Sequence, residues 1–331
     1  YGRLQAINRS KFEFVNCSHP VSLVEDQPLK ATFRSKSVVF DPVIRELSSA
    51  ASKAEKETIF ATDTIISALM SCPRSVYPWD ISVTRVGLLT FLELREGTIL
   101  DLVTANESSP DNYTYYNMPV DDPFKVPMAL AAEATKINDH YIQQLIATDA
   151  AGAPAVVKAG RHCPFVETAE EEESKTAPVL YRYRRWALTP AIDLVVRCEV
   201  NAFDPHFNPS VPEQQREGYV LACALNEYDP KVSDWKKKLE TKKGETMANE
   251  IRNNSFKLAR WTAKAMLAGC PQLNIGFVTR TNPANPNAGH TVLSSQFYKV
   301  KEFSQQINLQ PKNVWAIMRK MAGMFTPLAD G

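Results

Sequence analysis

The sequence predicts an α+β fold built as a single domain. Several segments alternate apolar and polar residues with a period of two, which indicates strands, and others repeat apolar residues at helical spacing. No internal repeat or clear linker divides the 331 residues. With 44 % hydrophobic and 23 % charged residues, the chain can bury one large core or two smaller ones. Because no linker divides the sequence, a single core is favoured.

Charge and cysteine content narrow the class of protein. A net charge of +1 excludes a globally basic nucleic-acid coat, so any RNA site must be a local patch. No apolar run approaches the roughly 18 residues of a membrane span, and no signal-peptide pattern opens the chain. The six cysteines lack CxxC spacing and are predicted to be reduced core residues. We therefore expect a cytoplasmic protein without a membrane partner.

The first secondary-structure elements are predicted from the spacing of apolar residues and from the positions of proline and glycine. Residues 1–40 are predicted to form an extended arm on the core, and the remaining residues, 41–331, a single domain. A helix over 57–70 ends at Pro73, because proline cannot continue it. Residues 75–96 then form a hairpin that turns at Gly87.

A polar loop covers residues 104–123. A loop that long inside a compact domain is usually functional or mobile. It is therefore either a lid or a disordered insertion. A helix over 130–146 follows it.

The second half of the chain begins with a predicted linker over 150–178, and the residues after it are predicted to form both strands and helices. Gly244 is expected to divide its longest helical region into two helices. The predicted strands are two within residues 179–201 and one each in 219–226, 273–280 and 291–299, and the predicted helices cover 235–269 and 311–325.

The first strand within 179–201 carries alternating arginines and aromatic rings, with Arg182, Arg184 and Arg185 among them. Arginine forks bind phosphate and aromatic rings stack on bases, so this strand could be a platform for single-stranded RNA. It could equally be an edge strand whose arginines pair with carboxylates, for example those of residues 170–173. The sequence leaves both interpretations open.

The second strand places Glu199 and Asn201 on one face. A metal-dependent nuclease would hold two carboxylates at this spacing for Mg²⁺. The spacing therefore suggests a metal site. Asn201 argues against it, because an amide lacks the charge that a hard divalent cation requires.

Three cations follow at helical spacing further along the chain. Lys257, Arg260 and Lys264 occupy positions i, i+3 and i+7, so they share one stripe of a helix. The stripe either touches phosphate or is a solvated face.

The common catalytic motifs are missing. The sequence contains no phosphate loop, no GxGxxG after a strand, no GxSxG elbow and no HExxH, and its five histidines stand without a partnered nucleophile. We therefore expect no enzyme, no cofactor and no bound metal.

Several long motifs, in order along the chain, resemble the d-subunit family of eukaryotic translation initiation factor 3, and in particular the central cap-binding domain of that family. They cover about residues 55–325. The motifs are FATDTIISALMSCPRSVYPWDI from Phe60, EATKIN from Glu133, YRYRRW from Tyr181, DLVVRCE from Asp193, ALNEYDPK from Ala224, NNSFKLARWTAKAMLAG from Asn253 and QINL from Gln306.

The resemblance implies a fold similar to that of the decapping exoribonucleases, in which two mixed β-sheets form a cup or tunnel flanked by helices. Those enzymes hold metals with a Gly-Glu-x-Asp strand and a Glu-x-Lys strand. The matching positions here include Glu199 and Asn201, then Leu221 and Cys223, so one carboxylate remains. The resemblance thus implies a vestigial metal site and a nuclease scaffold retained for binding.

The resemblance also implies cap contacts on two helical segments and a gate that covers the tunnel. Tyr77 would stack on the cationic base, and an aspartate would accept from its N–H groups. The cap-binding positions are Asp63, Val76 and Tyr77, then Thr135, Asn138 and Asp139, where the family commonly has His in place of Asp139. The gate falls on about residues 99–123, with Ile99, Asp101, Asn106, Pro110 and Tyr113 along it.

The expected function is a non-catalytic module that binds the mRNA 5′ cap and RNA within an initiation factor complex. Its expected partners are capped mRNA, the other subunits of the complex and the small ribosomal subunit, to which selected mRNAs are recruited. Two alternatives remain. One is a residual metal-dependent nuclease or decapping hydrolase on capped ends, and the other is a scaffold subunit without cap affinity.

Overall fold

The computed structural model describes residues 1–54, 56–78, 80–95, 97–108, 126–146, 157–207 and 218–331. Two five-stranded mixed sheets and the helices packed on them form the molecule, which confirms the predicted α+β class. Among the described helices, none is both long enough and apolar enough to cross a membrane. All six cysteines carry free thiols.

The strands fall into three sheets. They are β1 (Arg3–Gln5), β2 (Val21–Ser22), β3 (Glu57–Thr62), β4 (Ile81–Val86), β5 (Leu89–Leu94), β6 (Val157–Ala159), β7 (Leu180–Ala187), β8 (Ile192–Val200), β9 (Ala202–Phe203), β10 (Tyr219–Asn226), β11 (Gln272–Asn282) and β12 (Asn285–Lys299). The first large sheet has the order β4-β5-β3-β8-β7, the second has the order β2-β12-β11-β10-β9, and β1 pairs with β6.

Helices cover both large sheets. They are α1 (Arg9–Phe12), α2 (Pro42–Ser52), α3 (Asp63–Met70), α4 (Pro127–Gln144), α5 (Ala169–Lys175), α6 (Pro230–Ser233), α7 (Trp235–Lys238), α8 (Lys243–Asn253), α9 (Ser255–Ala268), α10 (Val300–Gln306) and α11 (Pro311–Phe325). Short 3-10 turns lie at Cys72–Arg74 and Ile99–Asp101.

The two large sheets meet where the chain leaves β8 and enters β9. Asn201 lies between these strands, and its backbone N–H donates to the Val220 carbonyl on β10 at 3.3 Å. Its side-chain Oδ1 accepts from the Ala222 N–H at 3.0 Å. A single residue therefore joins the end of β8 in one sheet to the first half of β10 in the other.

Helix α9 packs against both sheets at this junction, and both of its ends are capped by hydrogen bonds. Gly269 ends it with φ +74, and the Cys270 N–H returns to the Ala265 carbonyl at 2.8 Å. At the other end the Glu107 carboxylate accepts from the N–H groups of Phe256 and Lys257, both at 2.9 Å. A carboxylate at a helix N-terminus satisfies free donors and opposes the dipole.

The alternation of β8 is confirmed, but both of its faces are buried. Its apolar face, from Leu194 to Val200, belongs to the main core together with β10, β11 and α9. The other face carries charged and polar side chains, among them Asp193, Arg197 and Glu199, all of them buried. Such side chains must find partners inside the protein.

Two helix predictions are wrong. Residues 57–70 do not form one helix, because the first six are the central strand β3, which lies parallel to both β5 and β8. A strand covered on both faces has a continuous apolar run that periodicity cannot distinguish from a buried helix. Gly244 lies within α8, and the helical region instead breaks between residues 238 and 243 and at Asn254.

The predicted hairpin about Gly87 is confirmed as β4 and β5. The strands predicted at 273–280 and 291–299 are also present, but they continue into the segment expected to be a loop, since Asn282 pairs with Asn285. This hairpin tip is exposed, so its sequence carries no apolar alternation.

A buried ionic network holds the N-terminal arm to the second sheet. His290 on β12 is 3 % exposed, and its ring nitrogens lie 2.9 Å from a Glu25 oxygen and 2.8 Å from a Glu133 oxygen. Arg280 donates to the same Glu133 carboxylate. Burial by itself would lower the pKa of His290, but the hydrogen bonds to Glu133 and Glu25 outweigh it and raise the pKa.

This network predicts a dependence of stability on pH. Because the pKa of His290 is higher folded than unfolded, its contribution is complete below the unfolded value of about 6.5 and is lost as pH rises through the folded value. Urea unfolding at pH 6 and pH 9 should show a larger loss of unfolding free energy for the wild type than for His290→Gln. His19→Gln, at an exposed histidine, should behave like the wild type; equal pH dependence in all three proteins would refute the assignment.

Candidate functional site

A pocket opens at the junction of the two sheets. Its floor comes from β8 and β10, one wall from α9, the opposite wall from α4, and its rim from residues 101–104 and the N-terminal arm. The residues that carry chemistry in it are Arg34, Asp101, Asn138, Asp139, Glu199, Asn201, Leu221, Cys223, Lys257, Arg260 and Lys264.

The pocket combines three groups of residues that the sequence suggested separately. The four positions of the proposed vestigial metal site lie together on its floor, the complete cationic stripe lines one wall, and Asn138 and Asp139 line the other. These groups are distant in the chain and meet because β8, β10, α4 and α9 converge here.

The cationic stripe is turned inward. Lys257 is 4 % exposed, and its ammonium donates to the Thr104 carbonyl at 2.6 Å. Arg260 donates to the Leu100 carbonyl at 2.5 Å. Burial lowers the pKa of both cations. The interpretation of this stripe as a solvated face is therefore wrong, and two of its members instead hold the segment that begins the expected gate.

Lys264, the third cation, faces an acidic pair. Its ammonium lies 3.3 Å from a carboxylate oxygen of Asp63 and 3.2 Å from the Thr64 hydroxyl. Burial alone would lower the pKa of Lys264, but Asp63 and Glu199 raise it overall. Lys264 is thus the counter-ion of the pocket floor.

Glu199 is the only floor residue with an unused carboxylate oxygen among the described side chains. The residue is 7 % exposed, and its buried Oε1 has no hydrogen-bond partner. Burial raises the pKa of Glu199, and the nearby Asp63 raises it further, although Lys264 lowers it. A buried, unpaired acceptor of this kind costs free energy unless a proton or a ligand satisfies it.

The floor does not fit a divalent metal. Both oxygens of Asp63 are engaged, one by Lys264 and the other by the Glu199 N–H at 2.9 Å. The Asn201 oxygen is engaged by the Ala222 N–H, and Leu221 and Cys223 complete the floor. Within the described ranges, no three His, Cys, Asp or Glu side chains come together to hold an ion. One available carboxylate beside a lysine cannot replace a set of oxygen ligands.

The N-terminal arm closes the mouth of the pocket. Arg34 forms a two-pronged ion pair with Asp139, at 2.6 and 3.0 Å, and the Ser35 hydroxyl donates to Asp101 at 2.9 Å. The remaining cavity measures about 100 Å³, less than the roughly 300 Å³ of a small ligand site. A nucleotide-sized ligand would require Arg34 to move.

The arm itself is held by Arg197, which is 1 % exposed. Its guanidinium donates to Asp41 at 2.7 Å and to the backbone carbonyls of Phe33, Arg34 and Lys36, at 3.1, 3.3 and 2.6 Å. Asp41 also accepts from Val43 and Ile44 as the N-cap of α2. Arg197 therefore fixes the position of the arm segment that carries Arg34.

The other positions suggested for cap contact have partners of their own. The Thr135 hydroxyl accepts from the Val103 N–H at 2.8 Å, and the Asn138 side-chain oxygen accepts from the Ala224 N–H at 3.0 Å. Tyr77 is 5 % exposed and packs with Leu100 and Phe256 outside the central pocket. Val76 is 38 % exposed, and the Asp63 carboxylate is paired with Lys264.

The arginine strand β7 lies at the edge of the first sheet, and none of its residues lines the pocket. Arg182 donates to the Ala268 carbonyl at 2.5 Å, and Arg184 donates to the Leu267 carbonyl, so both neutralise the C-terminus of α9. Arg185 pairs with Asp193 and is 66 % exposed. The alternative of an edge strand is confirmed, and Arg185 pairs with a carboxylate, although with that of Asp193 rather than with residues 170–173. RNA contact by these arginines stays a prediction.

The structure describes the first part of the expected gate, residues 99–108. Ile99 and Asp101 form a 3-10 turn, and Asp101 lines the pocket. Asn106 accepts from the Ser108 N–H at 2.9 Å. Pro110 and Tyr113, and with them most of the loop over 104–123, lie outside the described residues.

Arg34 and Arg197 are site residues that the sequence analysis missed. Arg197 had a usable signal, since an arginine inside the apolar run from Leu194 to Val200 must be buried with a partner. Arg34 had none, because an arginine in an irregular polar segment gives no indication of where it will point.

The fold is similar to that of solved Rai1 structures. Rai1 of Scheffersomyces stipitis in complex with (3′-NADP)⁺ and calcium ion has a TM-score of 0.53 at 12 % identity, over 99 % of this chain and 76 % of that one. Rai1 of Candida albicans in complex with pU5-Mn²⁺ has a TM-score of 0.51 at 12 % identity, over 95 % and 75 %. The molecule thus belongs to the Rai1-like α+β class of folds.

The sequence identifies the family within this class. The family model "Eukaryotic translation initiation factor 3 subunit 7 (eIF-3)" matches residues 1–331. The D-subunit of eukaryotic translation initiation factor 3 is 39 % identical in Arabidopsis thaliana, over 88 % of this chain and 46 % of that protein, and 37 % identical in Homo sapiens, over 92 % and 52 %. The chain belongs to this family of translation initiation factor subunits and spans about half the length of these relatives.

The buried position of Arg197 predicts a large cost for its removal. Arg197→Met leaves Asp41 buried without its cation, and we expect a loss of about 3–5 kcal/mol of unfolding free energy in urea titrations. Trypsin should also cleave faster within residues 33–37. The matched change Arg95→Met, in an exposed ion pair with Asp80, should cost less than about 1 kcal/mol. Equal costs for the two variants would contradict this role.

Proposed function

We propose that the chain is a non-catalytic module that binds the mRNA 5′ cap and the RNA next to it. It acts within the initiation factor 3 complex in the cytoplasm, together with the other subunits, and brings selected mRNAs to the small ribosomal subunit. The observation that carries this proposal is the pocket at the sheet junction, which combines four inward cations with one unpaired carboxylate.

The charges of the pocket match the chemistry of a capped end. A cap is a cationic base joined to RNA through a chain of phosphates. Arg34, Lys257 and Arg260 would provide donors for phosphate oxygens once Asp139 and the carbonyls of residues 100–105 release them. Asp139 and Glu199 would provide acceptors for base N–H groups. Lys264 is already paired with Asp63 and neutralises negative charge at the pocket floor.

Ligand entry is proposed to exchange one set of partners for another. Phosphates would compete with Asp139 for Arg34 and would release Asp139 to face the ligand. The arm over residues 1–40 and the gate over about 99–123 would then act as two covers of the same mouth, because Ser35 and Asp101 already touch there.

Hydrolysis of capped ends is the second candidate function. It is favoured by the retained Glu199 and by the Rai1-like fold, which has been solved elsewhere with Mn²⁺ and with calcium. The engagement of Asp63 by Lys264, and of Asn201 by a backbone N–H, opposes it. The names of the relatives also favour a factor subunit.

Cap binding predicts a label that a free cap analogue competes away. RNA carrying a radiolabelled 7-methylguanosine cap should crosslink to the chain, and m7GpppG should reduce the label at least 10-fold more effectively than unmethylated GpppG. A scaffold without cap affinity would give no competable label. Incubation of capped RNA with Mn²⁺ should leave the RNA intact; cleavage that is lost in Glu199→Gln would favour the hydrolase instead.

The arginine strand gives a separate prediction, since we propose Arg182, Arg184 and Arg185 as further RNA contacts. Each change to Ala should weaken RNA binding with little sequence preference and should reduce its salt dependence by about one phosphate contact. Arg182→Ala and Arg184→Ala should also cost about 1–2 kcal/mol of stability, because they leave carbonyls of α9 without donors. Stability loss with unchanged RNA affinity and salt slope would limit these two residues to helix capping.

A further inference from the structure

The carboxylate of Glu199 is a buried group that the folded protein does not use. It projects from β8 into the pocket, is 7 % exposed, and its Oε1 has no partner. Its neighbours on the same strand face are different, because Arg197 binds Asp41 and the arm carbonyls, and Asp193 binds Lys56 and Arg185. Of the charged side chains described on this face, Glu199 is the one that lines the pocket and has a buried carboxylate oxygen without a hydrogen-bond partner.

An unpaired buried acceptor requires a hydrogen-bond donor from the ligand. A carboxylate has two oxygens and no proton when ionised, so it suits a ligand edge with two adjacent N–H groups. Phosphate and other anions present only acceptors to it, and a divalent cation would need further oxygen ligands that Asp63 and Asn201 cannot provide, since theirs are already engaged.

Among nucleotide bases, guanine has such an edge. Its N1–H and its N2 amino group are adjacent donors, whereas adenine, cytosine and uracil each have only one donor group on that edge. Arg34, Lys257 and Arg260 line the same pocket, and the phosphates of a nucleotide would meet these cations after Arg34 leaves Asp139. The pocket therefore combines an acceptor pair for guanine with a cationic wall for phosphate.

We propose that Glu199 is the base-specificity residue of the pocket and accepts hydrogen bonds from N1–H and N2–H of a 5′-terminal guanine. This inference rests on the proposed cap-binding function and adds the group that selects the base. Tyr77 and Asp63 do not compete for this role, because Tyr77 packs outside the pocket and both oxygens of Asp63 are engaged. Asp139 is free to join the site once Arg34 moves.

The test compares two nucleotides that differ by one donor. The wild-type chain should bind 7-methylguanosine triphosphate about 10-fold more tightly than 7-methylinosine triphosphate, which lacks the 2-amino group, as measured by fluorescence or calorimetric titration. Glu199→Gln preserves the shape but offers one acceptor and one donor. It should weaken binding of the guanine nucleotide roughly 10- to 100-fold and bring the ratio of the two affinities close to one.

Stability measurements distinguish this role from a structural one. Because Glu199→Gln removes a buried carboxylate whose Oε1 has no hydrogen-bond partner, the thermal midpoint should stay the same or rise, whereas loss of a structural residue would lower it. Glu199→Asp, which keeps the charge on a shorter side chain, should retain part of the preference for guanine. Glu46→Gln, at an exposed position on α2, should change neither affinity nor stability.

The outcomes separate this inference from the function on which it rests. Equal wild-type affinity for the two nucleotides, or an unchanged ratio in Glu199→Gln, would overturn the role of Glu199 while leaving cap binding intact. Failure of the wild type to bind 7-methylguanosine triphosphate or capped RNA would overturn both. Loss of the guanine preference with a maintained thermal midpoint would support the assignment.

Discussion

The structure depends on one buried ion pair, between Arg197 and Asp41. Neither residue is more than 1 % exposed, and a charge buried at that depth is tolerated only when its partner and its hydrogen bonds are complete. Arg197 completes them with three carbonyls of the N-terminal arm, and Asp41 completes them at the start of α2. The arm is thereby placed over the polar face of β8, which brings Arg34 to the mouth of the pocket.

The same requirement for partners explains which oxygens of the pocket floor are occupied. Where a hydrolytic centre would need free oxygens, Asp63 is used by Lys264 and a backbone N–H, and Asn201 is used to join the two sheets. The oxygens that could have held a metal thus hold the fold together. What remains is one carboxylate on the floor with an unpartnered oxygen and a wall lined by cations, and the proposed recognition of a capped end relies on these groups.

Helix α9 links the pocket to the segment expected to form the gate. Lys257, Arg260 and Glu107 connect the helix to residues 100–107 through carbonyls and N–H groups, and its far end is neutralised by arginines of β7. Cations that a linear pattern assigns to RNA or to solvent therefore also determine where a helix and a loop lie. The cations for which we propose RNA contact also have structural partners, so binding and stability must be measured together.

The sequence by itself determined the α+β class, the alternation of β8, the hairpin about Gly87 and the family, because these depend on local periodicity and on long ordered motifs. It could not tell the buried strand β3 from a helix, since both give the same apolar run. Only the tertiary structure decided which charges face one another. Arg34 meets Asp139, and Glu199 is left unpaired, because the positions of these side chains are set by the packing of segments more than 50 residues apart.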